Sequence, residues 1–185
     1  MGKLYEAIDD RLREFILGQA VFFVATAPSG PDGHVNLSPK GMKGCLAVLG
    51  EHRVAYLDYT GSGAETIAHL RDNGRITVMF CAFEGPPKVV RLHGRGTVVT
   101  PADQAWAELR AAFPGAAEHG LRTIIDVAVS RVSDSCGFSV PLLEYVGERD
   151  LLTQWASHKT ADDLVAYRTE KNTRSIDGLP ALARG

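Results

Sequence analysis

The segment TGSGAET, at positions 60–66, stands between a predicted strand and a predicted helix and could bind an anion. The first N–H groups of a helix have no partner within the helix, and the helix dipole adds positive charge there. The two glycines would let a phosphate group approach the backbone. The hydroxyl groups of Thr60, Ser62 and Thr66 could donate further hydrogen bonds. The segment therefore predicts a phosphate-binding turn.

The same residues also fit patterns that need no ligand. Ser62 followed by Glu65 matches the capping box, in which each side chain bonds the other residue's free N–H. A capped helix start and an anion site can coexist, so both interpretations stay open. The order strand, glycine-rich turn, helix and strand is also typical of a dinucleotide-binding βαβ unit. That alternative is disfavoured because Thr66 stands at the third glycine position and because GPP, at 85–87, predicts a hairpin.

A second polar group of residues lies on the preceding predicted strand, HVNLSPKG at positions 34–41. Alternation along a strand places His34, Asn36 and Ser38 on one face, and Lys40 follows just beyond them. A row of polar groups that ends in a lysine suits an anionic, hydrogen-bonding ligand. A solvated outer face of a half-buried strand is the alternative.

The predicted strand at positions 88–99 has a cationic face formed by Arg91, His93 and Arg95. Such a face could form ion pairs at a subunit interface or bind a phosphate group. A solvated face is equally compatible with the pattern. Gly94 and Gly96 interrupt the same strand, and they predict a bulge or bend where a barrel closes.

Around these segments, the periodicity predicts about six strands joined by hairpins rather than by regular βαβ crossovers. This arrangement indicates an α+β fold built on an antiparallel barrel with peripheral helices. His69 falls within one predicted helix and is expected at the surface. The predicted helices span residues 4–17, 64–73, 101–113, 148–157 and 160–171.

The overall composition excludes several classes of protein. The chain has 185 residues and a net charge of −2, which argues against a nucleic-acid-binding protein. No apolar run is long enough to cross a membrane, and the charged N-terminus does not resemble a signal peptide, so we expect a cytoplasmic protein. The three cysteines and the histidines lack metal-ligand spacing, so no metal site is predicted. No nucleophile–base pair stands out, so the catalytic residues stay unknown, which suits an enzyme whose cofactor performs the chemistry.

Three stretches resemble the pyridoxamine 5′-phosphate oxidase-like, FMN-binding split-barrel family: VNLSPKG (35–41), YLDYTGSGAETIAHLRDNGRITVMFCAF (56–83) and KVVRLHGRGTVV (88–99). The likeness extends in element order over roughly residues 10–130 and is closest to an uncharacterised bacterial branch. It implies a split barrel, residues 1–147, with non-covalent FMN. It also implies a homodimer that holds one FMN at each of two interface sites. Residues 148–185 are expected to form a helical extension and tail that pack on the same domain.

The resemblance also implies roles for individual residues. The strand around Val35–Ser38 would lie along the flavin ring and ribityl chain, while Lys40 and the Thr60–Ser62 region would hold the phosphate. Independently of the resemblance, Trp155 precedes a polar stretch near the C-terminus and could stack on the flavin edge of the partner subunit or pack the last helix onto the barrel. The predicted cofactor-binding residues are Val35, Asn36, Leu37, Ser38, Lys40, Thr60, Ser62, Glu65, Thr66, Arg91 and Trp155.

The sequence also departs from the founding enzyme of that family. The family's Ser-Arg-Lys signature reads Ser62-Gly63-Ala64 here, so two phosphate-binding cations are missing. The C-terminal substrate motif, rich in tryptophan and arginine, is absent. The resemblance therefore favours FMN binding more strongly than it favours oxidation of pyridoxamine phosphate. The leading hypothesis is an FMN-dependent oxidoreductase that acts on a small molecule; the alternatives are a non-catalytic flavin carrier or sensor, and a relative that binds a deazaflavin or haem.

Overall fold

The structure, a computed structural model, describes residues 2–183. Its eight strands form one sheet around the main hydrophobic core. The strands are β1 (Leu4–Tyr5), β2 (Phe22–Thr26), β3 (Asn36–Lys40), β4 (Leu46–Gly50), β5 (Arg53–Tyr59), β6 (Arg75–Cys81), β7 (Val89–Val99) and β8 (Leu121–Ser135). The helices are α1 (Asp10–Leu17), α2 (Glu65–Asp72), α3 (Trp106–Ala111), α4 (Leu151–Ser157) and α5 (Ala161–Lys171).

The sheet is antiparallel throughout and runs in the order β3-β2-β6-β7-β8-β5-β4, while β1 pairs with β8. The edge strands β3 and β4 do not pair with each other, so the barrel is split on that side. The predicted α+β class and antiparallel split barrel are confirmed, with eight strands rather than about six. The βαβ alternative fails, because β7 and β8 separate β6 from β5.

The first helix is shorter than its periodicity predicts. Asp9 caps α1 by accepting a hydrogen bond from the Leu12 N–H at 2.8 Å, so the helix begins at Asp10. Residues 4–5 instead pair with residues 132–133 of β8. The prediction fails there because free strand edges of β8 offer the backbone hydrogen-bond partners that a local pattern cannot reveal.

The second helix packs closely on the barrel. A Cβ atom at Gly96 of β7 would lie 2.9 Å from the terminal carbons of Leu70, so glycine permits this close approach. His69, expected at the surface, is fully buried on the same helix, and its Nδ1 lies 3.0 Å from Thr26 Oγ1. Burial lowers the pKa of His69 below its ordinary value of 6.5. The prediction for His69 was wrong because the barrel covers one side of α2 and the C-terminal residues pack against the same helix.

The glycines of β7 produce the predicted irregularity. The register between β7 and β8 shifts between His93 and Gly94. At Gly94, a Cβ atom would lie 2.1 Å from the backbone oxygen of Ala128. The two strands can therefore approach this closely only because residue 94 has no side chain. None of the described helices is long and apolar enough to cross a membrane.

Replacing Gly94 by alanine should destabilise the barrel, because the added methyl group meets backbone that cannot move aside. We expect a loss of about 3 kcal/mol in the free energy of unfolding, measured by urea denaturation. Gly50→Ala is the control, since its Cβ atom would meet nothing within 4 Å. Equal stabilities for the two variants would show that the close approach at Gly94 is not needed.

Candidate functional site

A groove of about 1590 Å³ opens on the split side of the barrel. One wall comes from β2 and the end of β3, and the other comes from the end of β5 and the turn that follows it. The extended chain after β8 forms part of the rim. The groove is lined by residues drawn from segments 17–23, 38–46, 57–66, 83–84 and 143–152, together with Arg122.

A buried ion pair lies beside this groove. Asp58 of β5 and Arg122 of β8 are only 3 % and 6 % exposed, and Arg122 Nε donates to Asp58 Oδ2 at 2.7 Å. Thr123 Oγ1 donates to the same oxygen at 3.1 Å. Lys40 of β3 reaches across the split, with its Nζ 3.5 Å from Asp58 Oδ1. Burial by itself would raise the pKa of Asp58, but Arg122, Lys40 and the hydrogen bonds outweigh it and hold the pKa below 3.8.

The same arginine organises the glycine-rich turn. Arg122 Nη1 donates to the Gly61 carbonyl at 3.3 Å, and Nη2 donates to the Gly63 carbonyl at 2.8 Å. Asn172, which follows α5, donates from Nδ2 to the Gly61 carbonyl at 2.8 Å and to the Ser62 carbonyl at 3.4 Å. Three successive carbonyl groups of the turn therefore accept hydrogen bonds from buried side chains of distant elements.

The backbone N–H groups of the turn after Thr60, unlike its carbonyl groups, lack hydrogen-bond partners among the described residues. In the described part of the chain, the backbone N–H groups of residues 61–67 have no backbone acceptor, and no side chain caps α2. Thr60 Oγ1 borders the groove and is buried without a hydrogen-bond partner among residues 2–183. Consecutive unpaired N–H groups at a helix start form an anion-binding site. The turn can therefore bind a phosphate or carboxylate group.

The predicted capping box is wrong. Helix α2 has Ala64 as its N-cap, so Ser62 lies two residues too early and Glu65 is the first helical residue. The Glu65 carboxylate instead accepts a hydrogen bond from the Ile176 N–H at 3.3 Å. The sequence pattern failed because the C-terminal residues compete for Glu65, and this long-range contact has no local signal.

The polar face of β3 connects to the same turn. Ser38 Oγ donates to Asn36 Oδ1 at 2.9 Å, and Asn36 Nδ2 donates to Thr66 Oγ1 at 3.0 Å. The alternation predicted for this strand is present. Val35 and Leu37 point away from it and are 74 % and 64 % exposed.

The structure brings together some of the residues predicted to bind the cofactor. Five of these residues line the groove: Ser38, Lys40, Thr60, Glu65 and Thr66. Asn36 is joined to them by hydrogen bonds, whereas Val35, Leu37 and Ser62 do not line the groove.

Two other predicted residues lie outside the groove. Arg91 donates to Ser135 Oγ at 3.0 Å across the β7–β8 pair. Trp155 of α4 contacts the Tyr167 ring of α5 edge-on, with 5.1 Å between ring centroids. In this chain Trp155 thus packs against α5, while its stacking on the flavin of a partner subunit stays a prediction.

Sequence reasoning missed Asp58, Arg122 and Asn172. A usable signal existed for the first two, because each is a charged residue next to a run of apolar strand residues, at YLDY and RTIID. Charged residues are almost never fully buried unless they are paired. Asn172 gave no such signal, since it stands in an aperiodic segment.

Among the described residues, the groove is lined by several carboxylates, by two tyrosines and by one cysteine, Cys45. Burial raises the pKa of Cys45 to about 11, so its side chain is a thiol, and its Sγ lies 2.6 Å from the Gly41 carbonyl. Within residues 2–183, no cluster of potential metal ligands is present, and no histidine lines the groove.

The Asp58–Arg122 pair should be a major determinant of stability. Arg122→Met leaves the buried carboxylate with Lys40 alone, and we expect a loss of about 3–5 kcal/mol at pH 7 in urea denaturation. Because the folded-state pKa of Asp58 lies below 3.8, the contribution is complete at neutral pH. It is lost as the pH falls from about 4 through the folded-state value.

The control is the double variant Asp58→Leu/Arg122→Met, which removes both charges and should regain much of the lost stability. If Arg122→Met were as destabilising at pH 3 as at pH 7, the ion pair would not be the cause.

Comparison with known proteins agrees with this architecture. The family described as "Pyridoxamine 5'-phosphate oxidase" matches residues 8–136. A curated relative, the pyridoxamine 5′-phosphate oxidase family protein ustO of Aspergillus flavus, is 40 % identical over 196 residues, covering 98 % of this chain and 78 % of that protein.

Two solved structures share the fold at low sequence identity. HupZ of Group A Streptococcus is 20 % identical, with a TM-score of 0.55 over 74 % of this chain and 99 % of HupZ. A FAD-binding protein from Mesorhizobium loti is 15 % identical, with a TM-score of 0.51 over 72 % of this chain and 95 % of that one. These two structures support only the split-barrel fold. The extent of the family match and the 40 % identity to the Aspergillus protein show the family. The chain belongs to the pyridoxamine 5′-phosphate oxidase family.

Proposed function

We propose that this protein is an FMN-binding flavoprotein, and an oxidoreductase acting on a small molecule, with the FMN phosphate at the turn formed by residues 60–66. The observation that carries the proposal is the arrangement of that turn. Its carbonyl groups are bonded to Arg122 and Asn172, while its N–H groups and Thr60 Oγ1 are without partners in the described chain. The turn also borders a groove larger than an ordinary ligand pocket.

The buried ion cluster beside the turn suits a phosphate group; the Glu65 carboxylate, which also lies at the turn, accepts a hydrogen bond from the Ile176 N–H. One carboxylate, Asp58, faces two cations, Arg122 and Lys40, so the cluster has one net positive charge. Arg122 uses its donors on Asp58 and on the turn, whereas Lys40 contacts Asp58 only at 3.5 Å and stays close to the groove. Lys40 and the backbone N–H groups would thus replace the two cations that the Ser62-Gly63-Ala64 sequence lacks.

The rest of the groove suits the ring system of a flavin. Phe22, Leu57 and Met42 provide apolar walls, and Ser38, which is hydrogen-bonded to Asn36, offers a polar group beside them. A bound flavin would supply the electron-transfer chemistry. The protein's residues would hold the phosphate, orient the ring and exclude water. The FAD-binding relative from Mesorhizobium loti supports a flavin as the ligand class.

A second copy of the chain would complete the groove. The extended segment after β8 borders the groove, and its Leu143 N–H donates to the Phe83 carbonyl at 3.0 Å. The same segment exposes Leu142 and Val146, which are 78 % and 93 % exposed. Exposed apolar groups concentrated on one segment mark an interaction surface. We therefore retain the homodimer, with FMN at its interface, as part of the proposal.

The alternatives differ in their ligand. A non-catalytic carrier or sensor would keep FMN, whereas a deazaflavin- or haem-binding relative would not. A haem in the groove would need an axial ligand other than histidine, because none of the described residues that line the groove is a histidine.

The first test is spectroscopic. The purified protein, or the protein incubated with FMN, should show the blue and near-ultraviolet absorption bands of bound flavin. Reduction of the bound flavin, followed by exposure to a panel of electron acceptors, tests catalysis.

Thr60→Val should weaken FMN binding about tenfold, because it removes one donor to a charged group.

The same substitution should leave the protein at least as stable, since the Thr60 hydroxyl is buried without a partner in the described chain. Thr97→Val, at an exposed position of β7, is the matched control. A protein that takes up no flavin rejects the proposed function, and unchanged FMN affinity in Thr60→Val rejects the position of the phosphate.

The dimer is tested by sedimentation velocity. The wild-type protein should sediment as two chains, and Leu142→Asp/Val146→Asp should sediment as one, because each charge would be buried at the interface. Val165→Asp, on exposed α5, should leave the dimer intact. A monomeric wild-type protein would contradict the dimer without affecting flavin binding to the groove.

A further inference from the structure

We propose that Asn172 is a positioning residue that lets the protein distinguish phosphorylated FMN from riboflavin, and that residues 172–182, here named the tail segment, belong to the cofactor site. The inference rests on the proposed function. It concerns only how the turn at residues 60–66 is held in a conformation that binds phosphate. From the sequence, this segment was expected only to pack on the same domain.

The side chain of Asn172 has direct contacts with the turn. The residue is completely buried, and its Nδ2 donates to the Gly61 carbonyl at 2.8 Å and to the Ser62 carbonyl at 3.4 Å. Two acceptors side by side require a donor, so the amide nitrogen must face them. Arg122 approaches the same Gly61 carbonyl at 3.3 Å, so two side chains from distant parts of the chain converge on one peptide group.

Stability alone does not account for an asparagine at this position. Its Oδ1 atom is buried with no hydrogen-bond partner among the described residues. A buried acceptor without a partner costs about 1–3 kcal/mol, which offsets the contribution of the hydrogen bonds that Nδ2 donates. A leucine of similar volume would avoid that cost, but it could not hold the carbonyl groups.

The tail segment fixes Asn172 and the start of α2 together. The Leu182 N–H donates to the Asn172 carbonyl at 2.9 Å. Ala181 is 1 % exposed and packs against Ala64 and Ile67. The Ile176 N–H donates to the Glu65 carboxylate at 3.3 Å. The tail segment therefore holds Asn172 through its backbone and holds the start of α2 through Ala181 and Ile176.

The tail segment also reaches the other polar element of the site. Asp177 accepts a hydrogen bond from the His34 N–H at 2.8 Å and lies 2.6 Å from His34 Nδ1. His34 stands two residues before β3, the strand that carries Asn36 and Ser38. The segment thus connects the predicted phosphate turn with the start of the strand predicted to lie along the flavin.

The consequence for ligand binding concerns the phosphate alone. With their carbonyl groups bonded to Asn172 and Arg122, the peptide groups of the turn leave their N–H groups free for an anion. Gly61 and Gly63 give the turn conformational freedom, so loss of the Asn172 bonds would let these peptides rotate. Riboflavin has the same ring and ribityl chain as FMN but no phosphate, and its affinity should not depend on Asn172.

The test compares two ligands with two variants of the full-length protein. Dissociation constants for FMN and riboflavin are measured by fluorescence titration for the wild type, Asn172→Leu and Arg174→Ala, alongside urea denaturation of each. Arg174 is the control because it is exposed and its Nη1 donates to the Gly178 carbonyl within the tail segment, not to the turn. We expect Asn172→Leu to bind FMN about tenfold more weakly, to bind riboflavin normally and to unfold at an unchanged urea concentration.

The outcomes separate the inference from the proposed function. A wild-type protein that binds neither ligand overturns the proposed function. A wild type that binds both, with Asn172→Leu losing affinity for both equally or for neither, overturns the role of Asn172 and leaves flavin binding intact. If leucine destabilises the fold, Asn172→Ala removes the amide without filling the space, and the same ratio of FMN to riboflavin affinity decides the question.

Discussion

The guanidinium group of Arg122 bonds at the same time to the Asp58 carboxylate and to the carbonyl groups of Gly61 and Gly63. A buried arginine must be paired, and Asp58 on the neighbouring strand satisfies that requirement. Once Asp58 has fixed its position, the remaining donors of Arg122 can bond only to acceptors close to the end of β5. The conformation of the turn therefore depends on a charge pair inside the barrel wall.

This dependence gives the turn its chemical character. A flexible glycine-rich loop would present carbonyl and N–H groups alike to a ligand. Here Arg122 and Asn172 donate hydrogen bonds to the carbonyl groups of the turn. The N–H groups of residues 61–67 have no backbone partner in the described chain. The anion site that we propose would thus be formed by oriented backbone N–H groups, with Lys40 as the nearby cation. A site of this kind can hold a phosphate without the arginine and lysine that the Ser62-Gly63-Ala64 sequence lacks.

Much of the architecture was predictable because it follows from local chemistry. The strand before the glycine-rich turn, β5, and the irregularity at Gly94 follow from a run of apolar residues and from glycines within a strand. The polar face of β3 follows from alternation. Two of the predictions that failed, the capping of α2 by Ser62 and the exposure of His69, depend on the C-terminal residues that pack on α2. Those contacts join residues more than a hundred positions apart.

The sequence by itself determined the family resemblance, the antiparallel barrel and the place of the glycine-rich turn, since each depends on residue order within a few neighbouring positions. Only the tertiary structure decided which groups face the groove at the turn. That outcome depends on Arg122 and Asn172, which lie about 60 and 110 residues further along the chain and meet the turn through side-chain hydrogen bonds whose geometry no periodicity encodes. The physical reason is that a hydrogen bond orients a peptide group only when its partner is held in place by a packed core.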